Sequence, residues 1–422
     1  MKTMRFFLII LFSTGALYLS SCSTAGNKET DSANLPVHEE EFLYNGHLFY
    51  EMNTPVGMLN KPQSKLWHYR GEWYGILPGD SVMGQKGTHL VHIGKRAESV
   101  DVLQEVFPIP GISDVFPFGE SVFVVFDSYE KASFKGDKYF TILDFNDDSD
   151  SYSIRDGFPI ILESNDGANL VEGSTIAVDG NGVVWICSDR SPGGADGKQN
   201  DGSVAVIHSL SEDYNDFSEA QILLDGTISD DIAKIVAWEN KVGVFISDQA
   251  RWEFRFIWRE DSDNLEDWSN TEIAEQSEGN SDDHINYAYN AEKGELYFAT
   301  KDSFDNVDLY RRSREGQWDV TEKFIEGSRA LILFDASGDT LYGFSFQDVW
   351  SGSTGNLNFE KLSVGNWGQS KDMSSTQQPC DSTTGLVIAK KHFRALELLY
   401  IPLEGSSLQG IDLVDGISPG NQ

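Results

Sequence analysis

The segment "DDHINYAY", residues 282–289, places two carboxylates, an imidazole and an amide directly before an apolar run. Carboxyl and imidazole groups can act as general acids and bases near neutral pH. Asp283 and His284 are therefore the first candidates for catalytic residues. A structural role fits the same pattern, because Asp side chains before a strand often cap backbone amides and a histidine there often fills a polar channel.

Polar residues stand in the same position before or after other apolar runs of the chain, and these are Gln63, Lys65, Asp114, Glu172, Asp231, Asp248, Asn286, Lys301 and Arg329. Hydrolysis of a glycosidic bond needs two carboxyl groups, one as acid and one as nucleophile or base. Asp114, Glu172, Asp231 and Asp283 are the candidates for that pair.

Two other interpretations use the same residues. Elimination from a uronate sugar needs a base, for which His284 is the candidate, and groups that stabilise the developing charge, for which Lys65, Arg329, Gln63 and Asn286 are candidates. Asp248 and Lys301 would add ligand contacts. A binding module without turnover would instead use the aromatic residues Trp67, Tyr287 and Tyr289. The acidic composition favours hydrolysis over elimination, since acidic side chains repel a polyanionic glycan.

Seven segments share one form, an apolar stretch, a tight turn and a second apolar stretch, with turns at or near Gly71, Gly119, Gly182, Asn240, Gly294, Gly338 and His392. Gly and Asn supply the positive φ that short hairpin turns require. The turns recur every 44 to 63 residues, which is typical of propeller blades and leaves room for two more strands in each unit. The sequence therefore predicts seven repeated β-hairpins.

The second stretch of each hairpin, such as "VFVVF", is apolar at nearly every position, as in strands that are covered on both faces. We predict an all-β, seven-bladed β-propeller of four-stranded antiparallel blades over residues 42–422. The segment "EFLYNGHLFYE", residues 41–51, has no hairpin of its own and is predicted to close the seventh blade as its outer strand. In such blades the candidate residues and the long connections gather on one face.

The repeat over about residues 45–415 resembles seven-bladed propellers of the bacterial neuraminidase-repeat, or sialidase-like, type. The segments "KPQSKLW", "DDIAKIV" and "DDHIN" resemble those of a family of exported propeller proteins of unknown activity. "VDGNGVVW" resembles an Asp-box, although Asp179 and Gly182 are one residue further apart than in that motif. By analogy the resemblance implies an extracellular carbohydrate as the ligand. Sialidase activity is disfavoured, because its carboxylate clamp needs several arginines and only Arg329 is suitably placed.

The first residues resemble a bacterial lipoprotein signal: Lys2 and Arg5 precede the apolar run "FFLIILFSTGALYL", which leads to "LSSC" and ends at Cys22. The resemblance implies that residues 1–21 are removed and that Cys22 carries a lipid. Residues 22–41 are small and polar, which predicts a flexible tether. Ser23 is not the aspartate that retains lipoproteins at the inner membrane, so we expect an outer-membrane location in the cell envelope. A scaffold role in an outer-membrane protein complex is the alternative to glycan processing.

The formal charge of −35 at pH 7 excludes nucleic acid as a partner, because it would repel phosphate groups. Two acidic stretches, residues 144–151 and 196–203, offer oxygen ligands for calcium but lack the glycine and glutamate of an EF-hand loop. We therefore predict no metal and no cofactor, with calcium as a weak alternative. Cys187 lies in the apolar run "VVWICS" and is predicted to be a buried free thiol, not a disulfide partner of Cys380.

Overall fold

The structure, a computed structural model, describes residues 47–51, 64–70, 72–80, 86–93, 100–109, 111–128, 137–163, 173–190, 202–228, 231–282, 284–304, 306–326, 331–334, 339–344, 349–353, 359–361, 387–388, 399–403 and 407–411. All of them belong to a compact unit that spans Glu40–Gln422. The predicted signal, tether and lipidated Cys22 lie outside the described residues. The described residues contain strands and turns without a helix, so none provides an apolar helix long enough to cross a membrane.

The described strands form seven antiparallel sheets, which we number 1 to 7. Strand β1 (His47–Glu51) comes first in the chain and belongs to sheet 7. Sheet 1 contains β2 (Leu66–Tyr69), β3 (Glu72–Asp80), β4 (Lys86–Ile93) and β5 (Val100–Phe107). Sheet 2 contains β6 (Gly111–Phe118), β7 (Ser121–Ser128), β8 (Lys138–Asn146), β9 (Ser151–Ile154) and β10 (Ile160–Glu163). Sheet 3 contains β11 (Thr175–Val178), β12 (Val184–Arg190), β13 (Gly202–His208) and β14 (Gln221–Thr227).

Four further sheets complete the described strands. Sheet 4 contains β15 (Ala233–Trp238), β16 (Lys241–Asp248), β17 (Glu253–Glu260) and β18 (Asn270–Gln276). Sheet 5 contains β19 (Ile285–Asn290), β20 (Glu295–Lys301), β21 (Asn306–Arg312) and β22 (Trp318–Glu326). Sheet 6 contains β23 (Leu331–Phe334), β24 (Thr340–Phe344), β25 (Val349–Ser353) and β26 (Phe359–Lys361). Sheet 7 contains β27 (Val387–Ile388), β28 (Leu399–Leu403), β29 (Ser407–Ile411) and β1.

The strands of sheets 1 and 3 to 6 pair in chain order, and in sheet 2 strand β8 pairs with both β9 and β10. The first strands of successive sheets contact one another, from β2 to β6, β11, β15, β19 and β23. We call them the inner strands. Two to five residues connect each of them to the second strand, as the hairpin pattern predicts. Gly119 and Gly294, at φ of +63° and +68°, occupy two of these turns, where a side chain would be strained.

Sheet 7 joins the two ends of the compact unit. Strand β1 pairs with β29 in antiparallel register, with His47 opposite Gly410 and Glu51 opposite Ser407. This is the pairing predicted for the N-terminal strand, which forms the outer strand of the sheet. Closure of all seven sheets into one ring stays a prediction.

The hydrophobic core lies between neighbouring sheets. Phe107 of sheet 1 stacks on Phe126 of sheet 2 with ring centroids 4.0 Å apart, and Phe245 of sheet 4 stacks on Phe298 of sheet 5 at 4.1 Å. All four rings are buried. Complete burial of one such side chain stabilises the fold by about 1.5–3 kcal/mol. Strand β7 is buried at six successive positions because sheets cover it on both faces, which is why its sequence does not alternate.

Candidate functional site

Inner strands begin, and second strands end, at the same edge of each sheet. In sheets 2 to 5 the paired residues at this edge are Gly111 and Ser128, Thr175 and Cys187, Ala233 and Ile246, and Ile285 and Thr300. We call this edge, with the connections that leave it, the loop face. Seven of the predicted site residues are described, and they are Lys65, Asp114, Asp231, Asp248, His284, Asn286 and Lys301. Gln63, Glu172, Asp283 and Arg329 lie outside the described residues.

The Asp114 carboxylate links three inner-strand segments. One oxygen accepts the backbone N–H of Ser64 at 2.8 Å and the other accepts that of Ile176 at 3.0 Å. The side chain is 1% exposed. Both bonds join neighbouring sheets, and a buried carboxylate that binds two amides has little freedom to act on a ligand. These contacts favour a structural role over the catalytic role predicted for Asp114.

Polar side chains of other inner strands make the same kind of hydrogen bond to the backbone of the next sheet. The Thr175 hydroxyl accepts the N–H of Ile235 at 3.1 Å, and the Asn286 amide oxygen accepts the N–H of Ile332 at 3.0 Å. Each bond fastens one inner strand to the next. Asn286 was predicted to stabilise charge on a ligand, but its oxygen is engaged by the backbone of sheet 6. A polar residue near the start of an inner strand therefore has a structural use in this protein.

Ionisable side chains from four sheets meet beneath the loop face. Lys65, Asp114, Lys234 and Tyr287 are all buried, and we call them the buried ionic cluster. Burial lowers the pKa of Lys65 to about 7; the Asp114 carboxylate opposes this fall and the Lys234 ammonium adds to it. Burial, with a contribution from Asp114, raises the pKa of Tyr287 well above its usual value. Residues far apart in the sequence therefore share one electrostatic environment.

Sequence reasoning missed Lys234. It lies in the buried stretch of β15, one residue before Ile235, and corresponds in register to Asp114 and Thr175 of the preceding sheets. The signal was a single charge inside the apolar run "IAKIVAW". A buried lysine is rare unless it is paired, so such a charge identifies a residue with a specific partner.

Asp231 and Asp248 cap local backbone. Asp231 accepts the N–H groups of Ile228 at 2.8 Å and Gln249 at 2.9 Å. Asp248 is fully buried and pairs with Arg251 at 2.5 Å. Asp231 was predicted to be catalytic and Asp248 to bind a ligand. Their contacts instead fix the turn between β16 and β17 and the segment that leads into β15.

His284 and Lys301 lie together at the loop face of sheet 5. His284 is 3% exposed, and its carbonyl oxygen accepts the N–H of Lys301 at 3.1 Å. The Lys301 ammonium binds the Asp282 carboxylate at 2.9 Å, with both side chains about 15% exposed. The imidazole, the ammonium and the carboxylate therefore belong to one partly open corner of the sheet. This corner is the described part of the site predicted from "DDHIN".

A second polar network joins sheets 2 and 3 at the same face. The Lys138 ammonium donates to Glu163 at 3.0 Å and also to the Ser188 hydroxyl. The hydroxyls of Ser188 and Ser174 are 3.0 Å apart, and Ser174 donates to Asp127 at 2.9 Å. Burial lowers the pKa of Lys138 to about 8, and burial raises the pKa of Asp127. The network holds charged groups in the interior by bonding them to one another.

Two of the aromatic residues predicted to bind a ligand lie in the interior. Trp67 is 2% exposed and packs against Tyr74 and Tyr152, with centroids 6.0 and 5.4 Å away. Tyr287 is 7% exposed and belongs to the buried ionic cluster. The prediction that Trp67 and Tyr287 form a ligand surface is therefore wrong, because core packing covers both rings.

The Asp-box-like segment and the first acidic stretch have structural contacts. The Asp179 carboxylate accepts the indole N–H of Trp185 at 2.9 Å and the backbone N–H groups of Asn181 and Val183 at 2.9 and 3.0 Å. In the stretch 144–151, Asp144 pairs with Arg155 at 2.7 Å and Asp147 pairs with Arg70 at 2.5 Å. These carboxylates are engaged by arginines, which disfavours calcium there. The stretch 196–203 lies largely outside the described residues.

Cys187 is a free thiol in the interior, as predicted, and burial raises its pKa. A thiol with a raised pKa carries little thiolate and is chemically inert at neutral pH. Cys380 lies outside the described residues.

No family model and no curated protein matches the chain. Solved structures match it at low sequence identity. An ulvan lyase, a polysaccharide lyase bound to a GlcA(1-4)Rha3S repeat, superposes with a TM-score of 0.53 at 9% identity, over 88% of this chain and 96% of that chain. A Hadza microbial sialidase gives 0.42 at 12% identity, over 78% and 74% of the two chains. An α-L-arabinanase of Penicillium chrysogenum gives 0.44 at 12%, over 71% and 92%. At 9% identity the likeness to the ulvan lyase concerns the fold alone, and together with the seven antiparallel sheets of the described residues it supports a propeller-like, all-β architecture.

Proposed function

We propose that this protein is a lipid-anchored, seven-bladed propeller of the cell envelope that binds and cleaves an extracellular glycan at its loop face. The seven described sheets and the pairing of β1 with β29 support a closed ring of blades. The N-terminal signal supports the anchor on Cys22. A Cys22→Ser variant should leave the membrane fraction and appear in the soluble fraction, and unchanged fractionation would contradict the anchor.

The observation that carries the glycan proposal is the partly open corner of sheet 5, where His284 pairs with Lys301 through the backbone and the Lys301 ammonium binds Asp282. The buried ionic cluster lies close to the same edge of the sheets, and titratable groups with shifted pKa values concentrate at functional sites. The connections that follow the second strands leave the sheets at this edge. Glycan-active proteins with propeller-like folds, such as the ulvan lyase, support carbohydrate as the ligand by analogy.

The contacts of the candidate residues favour elimination over hydrolysis, which reverses the order expected from the acidic composition. Hydrolysis needs a pair of free carboxyl groups, and two of the four candidates, Asp114 and Asp231, are bonded to backbone amides. Elimination needs a base and a cation, which His284 and Lys301 provide in one corner. In that reaction the base takes the proton beside the uronate carboxylate, the C4–O4 bond breaks, a C4=C5 double bond forms, and the leaving oxygen gains a proton. We therefore place elimination first, with hydrolysis through Glu172 and Asp283 second.

Burial of the candidate residues favours a second function. His284 is 3% and Asp114 1% exposed, as expected of side chains that hold inner strands together. A glycan-binding or scaffold lipoprotein of an outer-membrane complex would need no catalytic group at these positions. The experiment below separates this function from catalysis.

Protein that lacks residues 1–22 should be incubated with a panel of neutral and uronate-containing polysaccharides. Elimination creates an unsaturated product that absorbs ultraviolet light, whereas hydrolysis creates reducing ends without that absorbance. We expect the unsaturated product, and we expect His284→Ala and Asp283→Asn to abolish it while unfolding stays within about 2 kcal/mol of wild type. His92→Ala is the matched control, since His92 pairs with Glu72 within sheet 1.

Each outcome selects one interpretation. Reducing ends alone would replace elimination by hydrolysis. Binding without any product would support the non-catalytic function. Unfolding of the His284→Ala variant would assign His284 to the structure of sheet 5, and the Asp283→Asn variant would then carry the test of catalysis.

A further inference from the structure

Two aromatic side chains are exposed on the loop face of sheets 4 and 5. Trp252 is 37% exposed and lies in the turn between β16 and β17, while Phe304 is 71% exposed and lies in the turn between β20 and β21. Both turns follow second strands, so they leave the sheets at the edge that bears His284 and Lys301. Sequence reasoning did not single out either residue.

Trp252 combines an unfavourable backbone conformation with an exposed side chain. Its φ is +54°, in the left-handed region that bulky side chains rarely adopt. Trp67, Trp73, Trp185 and Trp238 are at most 3% exposed, and Trp258, Trp268 and Trp318 are partly buried, so Trp252 is more exposed than these seven. Six described residues other than glycine have positive φ, and among them Trp252 alone has an exposed aromatic side chain. Backbone strain of this kind concentrates at ligand sites, so strain and exposure together favour a use beyond the stability of the fold.

Phe304 is exposed but firmly positioned. Its backbone N–H donates to the Asp302 carboxylate at 2.8 Å, and the same oxygen accepts the N–H of Asn306 at 2.7 Å. The ring lies against Gly279, where an added Cβ would come within 2.6 Å of a ring carbon. Gly279 has a φ of +84°, so both its conformation and its lack of a side chain let the ring lie there. The structure thus presents an ordered aromatic ring to solvent.

One segment connects the two aromatic residues. The N–H of Ser277 donates to the Trp252 carbonyl at 3.1 Å, and the N–H of Ser303 donates to the Gly279 carbonyl at 2.9 Å. Because residues 277 and 279 are two positions apart in the chain, their Cα atoms are at most about 7 Å apart. Ser303 also donates to the Ser281 carbonyl at 3.2 Å, next to the Asp282 and Lys301 pair. Backbone contacts through residues 277–281 therefore join the turns that carry the two aromatic residues to the segment that leads to His284.

We propose that Trp252 and Phe304 form an aromatic platform that binds sugar rings of a polysaccharide chain beside the reaction site. This inference rests on the proposed glycan function and gives it a chain-binding subsite. A pyranose ring has an apolar C–H face that stacks on an aromatic ring and a rim of hydroxyl groups that need hydrogen-bond partners.

The surroundings of the platform match that chemistry. Arg251, with its side chain 40% exposed, adjoins Trp252, and Gln276 donates to the Glu253 carboxylate at 3.3 Å nearby. Lys301 and Asp282 provide polar groups beside Phe304. Two apolar rings within a polar surface suit a sugar better than a protein helix, which would need a continuous apolar groove.

The test uses protein without residues 1–22 and the polysaccharide that the wild type processes or binds best in the panel above. The variants are Trp252→Asn, Phe304→Ala and the double substitution. Asn tolerates the left-handed conformation, so Trp252→Asn removes the ring without adding strain. Phe118→Ala is the matched control, because Phe118 is 41% exposed at the end of β6, at the opposite edge of sheet 2.

We expect each single variant to weaken binding of the polymer, or to raise its KM, about tenfold. The double variant should weaken binding of the polymer further, whereas kcat on short oligosaccharides, which do not reach the platform, should stay the same. The Phe118→Ala control should match the wild type. If the wild type binds the polymer and the double variant binds it equally well, the platform is wrong while the proposed function survives. If the wild type binds no polysaccharide, the proposed function fails and the platform fails with it.

Discussion

The loop face has two regions whose side chains have different roles. In sheets 1 to 3 its charged side chains are buried and bonded to backbone or to one another, as in Asp114 with Ser64 and Ile176. In sheets 4 and 5 it has buried carboxylates as well, Asp231 and Asp248, but it also exposes Trp252 and Phe304 on turns that are held by hydrogen bonds. The first region stabilises contacts between sheets, and the second adds aromatic rings that face solvent. Chemical reactivity of a residue type is therefore a poor guide to function unless its exposure is known.

The largest effect is expected from Asp114→Ala. The substitution leaves two buried N–H groups without an acceptor and leaves Lys65 without its neighbouring carboxylate. We expect the free energy of unfolding to fall by about 3–5 kcal/mol, measured by urea denaturation. Asp114→Asn should cost less, since Asn286 already performs the equivalent task with an amide. Asp156→Ala, in an exposed turn, is the control, and an equal loss there would contradict the assignment.

A smaller effect is expected from pH, through the buried lysines. Burial lowers the pKa of Lys138 from 10.5 to about 8 in the folded protein. Between these two values the unfolded chain binds more protons than the folded chain, so the free energy of unfolding rises with pH. The rise from Lys138 should be about 3 kcal/mol over this window, and Lys65, with a pKa of about 7, acts in the same direction.

Lys138→Met should remove most of this rise, measured by urea denaturation at a series of pH values. Lys293→Met, with a side chain 36% exposed, should leave the rise intact. A wild-type stability that falls between pH 8 and pH 10 would contradict a lowered pKa of Lys138 in the folded protein.

The smallest effect is expected in the second region, where a substitution should raise the free energy of unfolding instead of lowering it. Trp252→Gly relieves the left-handed strain and removes an exposed indole, so we expect the free energy of unfolding to rise by about 1 kcal/mol. Trp258→Gly, at a half-buried indole in β17 that donates to Glu272, should lower it instead. A loss of stability in Trp252→Gly would mean that the indole supports the fold, and the contrast between the two regions would disappear.

Much of the fold could be predicted from the sequence. Apolar runs separated by Gly or Asn indicated the hairpins, because a strand covered on both faces must be apolar at almost every position. The pairing of β1 with β29 followed from counting the strands that lacked a partner. These inferences depend on local patterns that tertiary contacts reinforce.

The roles of single residues were harder to predict. A carboxylate before a strand has the same sequence signature whether it caps an amide, as Asp114 does, or faces a ligand. Lys234 was overlooked because it is one charge in an apolar run, and Lys138 because it stands in a polar stretch before one; contacts from other sheets define both. Trp67 was misjudged and Trp252 was missed because residue type does not reveal exposure. Such features depend on how the sheets pack.

The pairing of β1 with β29 has a consequence for biogenesis. Sheet 7 needs strands from both extremes of the compact unit, so its assembly waits until synthesis of the polypeptide has delivered the last of them. Until then β1 offers unpaired N–H and C=O groups that can bind another chain or a protease. A truncated product that lacks β29 would thus differ from a finished one by this open edge, and cellular quality control could act on it.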